Sequence, residues 1–378
     1  MPELRPFPGW RFVPGRAPLG AALCPPYDVI SAEVAGALRR VPHNAVHLEL
    51  PVGRADARFR AAAAVWRRWT AEGVVRRDPD DSFYVCEERF RFQGRSFKRL
   101  GVLGALPCGD RRVTPHEKTL PKPKAERLAL LKAVRVNTSP IFGVVRAPGG
   151  RVEDALREAV RRAPDARGRT REASFRVWRV ADPRWLRRLR RLLRTQEMLI
   201  ADGHHRYEVG CRGGSRAVLA YLCSEADPGL LLLPTHRVVP RRALDRSALK
   251  ECRMSACASA TELSRRLAAS RDPYAFGLFD GRFRLAEPRT GGGCRSFLSV
   301  EWIARRLLAG VDPARVLYEH DLPAAIAAAR SRRAAAVLVR PLTVEQVRRA
   351  TKQIGLLPPK TTYFHPKVWA GLVFRELS

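Results

Sequence analysis

Residues 201–208 read ADGHHRYE and follow directly on the apolar Met198, Leu199 and Ile200. An apolar strand that ends in Asp-Gly and opens into polar donors is suited to holding an anion. Gly203 lets the backbone turn and approach a ligand closely. The free amides and the positive dipole end of the following helix converge on the same point. His204, His205 and Arg206 add side-chain donors, and a guanidinium matches phosphate oxygens in a bidentate manner. Asp202 can orient a histidine or hold a metal ion; the plainer alternative is a helix cap flanked by surface histidines. After Glu208 the text runs VGCRGGSR, so the helix is expected to be barely two turns long.

Two further groups carry chemistry. HEKT, His116 to Thr119, places a histidine, a carboxylate (Glu117) and an ammonium (Lys118) in a proline-bounded loop. Lys124 and Arg127 stand downstream near the start of a helix, where cations can neutralise a polyphosphate tail; a solvated loop is the bland alternative. In HLEL, His47 and Glu49 fall on one face of an expected strand, as a general base and its partner or as a buried ion pair. H-x-E also begins the zinc deaminase signature, but the PCxxC that must follow is missing. Walker A and GxGxxG loops are absent as well.

The elements that must position these groups are readable from pattern. Tyr27-Asp28 follows two prolines and predicts a fixed turn, after which Ser31 caps the helix SAEVAGALRR. HNAVHLELP is expected as a strand, ARFRAAAAVWRRWTAEG as an amphipathic helix, and residues 82–106 as paired strands turning at Gln93-Gly94. AERLALLKAVR is helical by period, NTSPIFGVV turns into a strand, and ASFRVWRV and DPRWLRRLRRLLR predict a strand and a helix. LLLLPTHRVVP is expected as one buried strand. From about 241 helices alternate with short strands. The class is α+β (mixed α/β), with a division into 1–240 and 241–378.

Composition bounds the rest. The chain has 378 residues, 46% of them hydrophobic, and no run long enough to span a bilayer. The proline-broken start lacks an apolar signal segment, so a soluble cytoplasmic protein without membrane contact is expected. None of the eight cysteines forms a CxxC pair, and reduced, mostly buried thiols are the expectation. The formal charge is +33, yet only nine of the 70 basic residues are lysine. Seven of those nine fall in 118–132 and 352–367, where ammonium groups stand out against uniform arginine. General, non-specific attraction to nucleic acid follows from the charge; a specific nucleic-acid function does not.

Together PPYDVI, NAVHLELP, HEKT with KAERL, NTSPIFG, ADGHHRYE, LPTHRVV and LPPKTTYFHPK resemble, in order from Pro25 to Phe374, domain of unknown function family 1015. That family is similar to the ParB/sulfiredoxin superfamily, whose members bind nucleotide phosphates through a strand-turn-helix motif. Its free serine kinase branch has a DGHHR box, matched here by Asp202 to Arg206. The resemblance implies a nucleotide-binding catalytic portion over 1–240 and a C-terminal α/β portion contributing Lys360–Lys367 to the same site. It further implies ATP or ADP with Mg2+ as cofactors, the metal on Asp202 and Glu117. Phosphates would lie on Gly203, His204, Arg206, His116, Glu117, Lys118, Thr119, Lys124 and Arg127. Glu49, His205 and Asp202 would be catalytic, with Glu49 the base. Tyr27, Asp28, Asn137, Ser139, Lys360, Thr361 and Thr362 would hold the acceptor, free serine or a similar hydroxy compound. The alternatives are a ParB-like nucleic-acid-binding or nuclease protein, or a nucleotide-binding regulator without turnover. Cysteine-based reduction is disfavoured, because histidines fill the box where sulfiredoxin-type members need a cysteine.

Overall fold

The computed structural model describes residues 3–117, 121–312 and 315–377, the side chains of 121–123 excepted. Its longest local feature is the hairpin Phe83–Phe92 and Arg95–Pro107. Gln93 and Gly94 both take positive φ, 46° and 78°, which a two-residue turn matched to strand twist requires. This hairpin is the middle of an eight-stranded sheet. From one edge the strands are Val113–Thr114, Met198–Asp202, Ile141–Val145, Ala217–Ser224, Arg95–Pro107, Phe83–Phe92, Ala173–Val180 and Ala166–Arg169. Both parallel and antiparallel pairs occur, so the sheet is mixed.

One face of the sheet buries Phe83, Val85, Trp178 and Ile200 under the helices Arg151–Ala159 and Pro183–Arg194. The second helix starts where expected: the Asp182 side chain accepts from the Trp185 amide, and Pro183 stands in the first turn. Its Trp185, Leu189 and Leu193 recur every four residues toward the core, while the arginines between them face outward.

The opposite face holds a buried charge. Glu88 and Arg99 are directly opposite each other in the hairpin and paired at 2.5 Å, with neither side chain more than 4% exposed. The Arg99 guanidinium also lies over the rings of Phe142 and Tyr221, 4.8 and 5.3 Å from their centroids, and donates to the Pro366 carbonyl. From Pro366 the chain end runs back over the sheet. Trp369 packs on Phe175, and Phe374 inserts among Phe12, Trp66 and Trp69 in a second core.

The chain divides into two compact units, Met1–Pro115, Thr119–Leu231 and Pro366–Ser378 forming one, His116–Lys118 and Leu232–His365 the other. The division thus falls nearer 231 than 240, and Pro366 onward belongs with the first unit because Arg99 and the aromatic core hold it there. The second unit has an antiparallel six-stranded sheet, in the order Cys252–Cys257, Phe283–Pro288, Phe276–Phe279, Ala335–Leu338, His236–Val239 and Leu317–Glu319. Helices Ala260–Ala269 and Leu322–Ser331 pack on it around Leu263, Ala325 and Leu338. No helix among the described residues is long and apolar enough to cross a membrane.

Three local expectations are corrected. HLEL is a single helical turn, Val46–Glu49, not a strand. Asn44 decides this: its side-chain oxygen accepts from the Val46 amide, and its nitrogen donates to the Ala21 and Leu23 carbonyls. LLLLPTHRVVP is two strands, Leu231–Leu233 and His236–Val239, interrupted at Pro234, which has no amide to donate. Cys108 and Cys211, 103 residues apart, are joined in a disulfide. No local spacing announces that bond, which arises from the fold bringing a strand end to a helix end.

Removing the Arg99 charge strands Glu88 in the interior. Arg99→Met is expected to cost about 3–5 kcal/mol in urea denaturation. Glu88→Gln combined with Arg99→Met should recover part of that loss, because no buried charge is then left unpaired.

Candidate functional site

The strand Met198–Asp202 is buried throughout and its pairing with Ile141–Val145 shifts between Ile200 and Asp202. It carries Asp202 at its C-terminal end, and Gly203 then turns the chain with φ 85°. A Cβ at Gly203 would lie 3.1 Å from both the Ile141 Cα and the Arg206 Nε, so backbone conformation and space both demand glycine. The helix His204–Arg212 follows at once, two and a half turns long. A backbone bond from the Tyr207 amide to the Gly203 carbonyl closes its first turn, and the amides before it point along the axis out of that end.

Asp202 does not cap this helix. Its Oδ2 accepts from Arg206 at 2.7 Å, and its Oδ1 accepts from the Lys367 ammonium. Burial pushes the Asp202 carboxyl up, but Lys367 and Arg206 outweigh it and hold its pKa down at about 2. With each oxygen bound to a cation, Asp202 is a poor fit to a magnesium ion, and no group of three metal-ligating side chains occurs among the described residues. Asp202 therefore does not suit the magnesium ion expected on it and Glu117.

Arg206 is part-buried rather than exposed. It donates to the Pro140 carbonyl and to Asp202, while its Nε, itself buried, has no hydrogen-bond partner. His205 is half-buried, and that burial lowers its pKa, so at neutral pH it is an uncharged imidazole. Along the helix side, Lys124 pairs with Glu208 at 3.0 Å.

Glu49 reaches the same place from the helical turn fixed by Asn44. It is 1% exposed. The Thr138 hydroxyl donates to Oε1, while Oε2 has no hydrogen-bond partner. Arg127 lies 3.7 Å from Oε2, donates to the Glu49 carbonyl at 2.9 Å, and stacks 4.0 Å over the Tyr27 ring. A cleft of about 40 Å³ opens between these groups, lined by Glu49, Arg127, Asn137, Thr138, Ser139 and Arg206. That space suits a few waters or one small oxyanion. Asp28, on the turn Tyr27–Val29, lies within electrostatic reach of Asp202, Arg206 and Lys367. Asn137 is a fastener: its side-chain oxygen accepts from the Leu219 amide and from Arg375.

The fold thus brings Tyr27, Asp28, Glu49, Lys124, Arg127, Asn137, Ser139 and Asp202 to Arg206 together in the first unit. His47 is not Glu49's partner; its Nε2 lies 2.9 Å from the Val41 carbonyl. His116, Glu117, Lys360, Thr361 and Thr362 belong to the second unit. There His116 Nε2 is 2.7 Å from the Thr362 hydroxyl, Glu117 accepts from the Lys360 amide, and Thr361 donates to the Pro358 carbonyl. Lys118 and Thr119 lie outside the described residues. One participant was missed in the sequence, Thr138, while Lys367 was expected only as the end of the stretch Lys360–Lys367. The first sits inside the NTSP motif; the second is one of only nine lysines.

The chain matches, over residues 4–299, the family described as Protein of unknown function (DUF1015). No curated protein matches it. Similar solved structures include a conserved hypothetical protein from Pyrococcus furiosus, at 14% identity and a TM-score of 0.38, covering 71% of this chain and 92% of that one. A free serine kinase in complex with AMP is similar at 13% identity and a TM-score of 0.40, covering 70% of this chain and 86% of the other. SbnI with C-terminal truncation from Staphylococcus aureus is similar at 10% identity and a TM-score of 0.33, over 70% and 84%. With the family matched across most of its length, the chain belongs to DUF1015.

Proposed function

We propose that the first unit is a nucleotide-dependent phosphotransferase acting on a small hydroxy compound. The observation that carries this reading is Glu49, a buried carboxylate whose Oε2 lacks a hydrogen-bond partner in a cleft it shares with Arg127 and Arg206. A buried carboxylate oxygen left without a donor is costly, and a reacting hydroxyl would relieve that cost.

In this reading phosphoryl oxygens of ATP or ADP rest on the amides opening the helix His204–Arg212, with His205 as a neutral donor beside them. The acceptor hydroxyl oxygen bonds to the terminal phosphorus, the bond from phosphorus to the nucleotide oxygen breaks, and the hydroxyl proton passes to Glu49 Oε2. Arg206 and Arg127 offset the charge spread over the transferring oxygens, which is the main demand of such a transfer. Asp202 and Lys367 keep Arg206 in place rather than touching substrate. A magnesium ion carried on the nucleotide phosphates would supply a counterion there, held by none of the cleft's side chains. Free serine, the acceptor implied by the resemblance of Asp202–Arg206 to the DGHHR box, is the first to assay.

His205→Ala should leave the fold intact and abolish the thermal shift produced by ATP or ADP; an undiminished shift would remove the phosphate site from this helix end. Arg206 needs the milder Arg206→Lys, because its removal would leave Asp202 buried with one partner fewer. Glu49→Gln is expected to keep nucleotide binding and reduce turnover about 10²- to 10⁴-fold, measured as nucleotide consumed with serine as acceptor. Retained turnover in that variant would assign the proton to another group.

The Asp202 pKa also sets a pH dependence. Its carboxyl titrates lower in the folded than in the unfolded chain, where about 3.9 is usual. The stability it confers is therefore complete above pH ~4 and lost as pH falls through about 2. Compared with Asp202→Asn in acid denaturation, the native protein should hold a constant advantage from pH 7 to ~4 that shrinks steadily below.

A further inference from the structure

At its far end the larger sheet changes character on a single face. The face that buries Phe83, Val85 and Trp178 continues outward along the same four strands as a field of cations. Residue pairing sets Lys98 opposite Arg89, Arg89 opposite Ser174, and Ser174 opposite Arg169. The next row sets Glu87 opposite Arg176 and Arg176 opposite Arg167. Alternation puts Arg91 on this face too. All six cations are exposed. Two carboxylates stand near them: Glu87, shared by Arg89 at 2.7 Å and Arg176 at 3.8 Å, and the exposed Glu172, which lines the adjoining groove beside a further cation, Arg171.

Two of the cross-strand pairs, Arg89 with Lys98 and Arg176 with Arg167, are like charges set directly opposite, an arrangement that weakens a sheet. The strands spread these charges over three spacings of about 4.8 Å, a width that meets more than one phosphate of a nucleic-acid strand. Between the two hairpins lies a groove of about 520 Å³, where Ser96 and Ser174 add hydroxyl donors between the cations.

We infer that this face binds single-stranded nucleic acid along its phosphodiester backbone, without reading sequence. The inference is independent of the phosphotransferase reading, since none of these residues belongs to the Glu49–Arg206 cleft. An anionic membrane is the poorer match. Among the described residues the exposed large apolar side chains are Val29, Val34, Val52 and Leu356, none of them on these strands, and a charged patch without an exposed apolar anchor holds a bilayer weakly. A concave groove also suits a flexible strand better than a flat surface.

The competing explanation is the bulk charge of +33, spread over the entire chain. Two triple variants of the full chain with equal charge loss separate the two. One is Arg89→Ser/Lys98→Ser/Arg169→Ser on the face. The other is Arg184→Ser/Arg187→Ser/Arg191→Ser on the exposed side of the helix Pro183–Arg194. Binding of a fluorescent oligothymidylate is read by anisotropy across a salt series, beside a duplex of equal length and anionic phospholipid vesicles. The face variant should bind the oligonucleotide about tenfold or more weakly at 0.1 M salt, with its log–log salt slope flattened by about 2, or ~0.7 for each lost phosphate contact. The helix variant should change affinity less than about twofold. Equal weakening by the two variants overturns the inference in favour of bulk charge. Face-dependent binding confined to duplex or to vesicles overturns it in favour of those partners. Should the first face variant fail to fold, Arg91→Ser/Arg167→Ser/Arg176→Ser is read by the same criteria.

Discussion

Arg99 sits at 0% exposure beneath the returning chain end, and the first unit is organised around meeting its needs. A guanidinium taken out of water is tolerable only when its donors and charge are answered. Glu88 answers the charge from across the hairpin, Phe142 and Tyr221 offer their ring faces, and the Pro366 carbonyl takes a donor. The last of these carries the greatest consequence. Holding Pro366 over the sheet sets the next residue, Lys367, against Asp202, a residue 165 positions earlier in the chain. A buried ion pair in the sheet thereby fixes the charge balance at a strand end some distance away along the backbone.

At that strand end the charges are graded. Asp202 is held ionised by two cations, and Arg206 is held cationic by Asp202. Glu49 is left with one oxygen engaged by Thr138 and the other without a hydrogen-bond partner. Carboxylates in one neighbourhood but in different surroundings can take different roles, the fully bonded one positioning and the partly bonded one accepting a proton. The short helix that completes the site is restrained along its length. Gly203 and Arg206 fix its start, Lys124 grips Glu208 from the side, and the disulfide from Cys211 to Cys108 ties down its end. These restraints compensate for glycines at 210, 213 and 214, which would otherwise let so short a helix fray.

Much of this was legible in the chain before folding. ADGHHRYE reads as strand, glycine turn and helix because apolar residues, an obligatory glycine and polar donors follow one another within eight positions. That order is local information. The Gln93-Gly94 hairpin and the helix after Asp182 were legible for the same reason. HLEL was misread because alternation of polar and apolar residues over four positions fits a strand and a helical turn equally. Asn44, bonded to carbonyls more than twenty residues away, made the choice.

The sequence by itself determined which side chains could meet a phosphate or remove a proton, and which turns had to contain glycine, since both depend on residue type and near neighbours. Tertiary structure alone decided which of those candidates meet. It placed Glu49, Arg127 and Arg206 around one cleft and gave His116, Glu117, Lys360, Thr361 and Thr362 to the other unit. It recruited Lys367 and Thr138, joined Cys108 to Cys211, and gathered six scattered cations on one sheet face. Each of these outcomes rests on contacts between residues far apart in the chain, whose partners are set by strand register and by what buried charge requires, and neither is written in any short window of sequence.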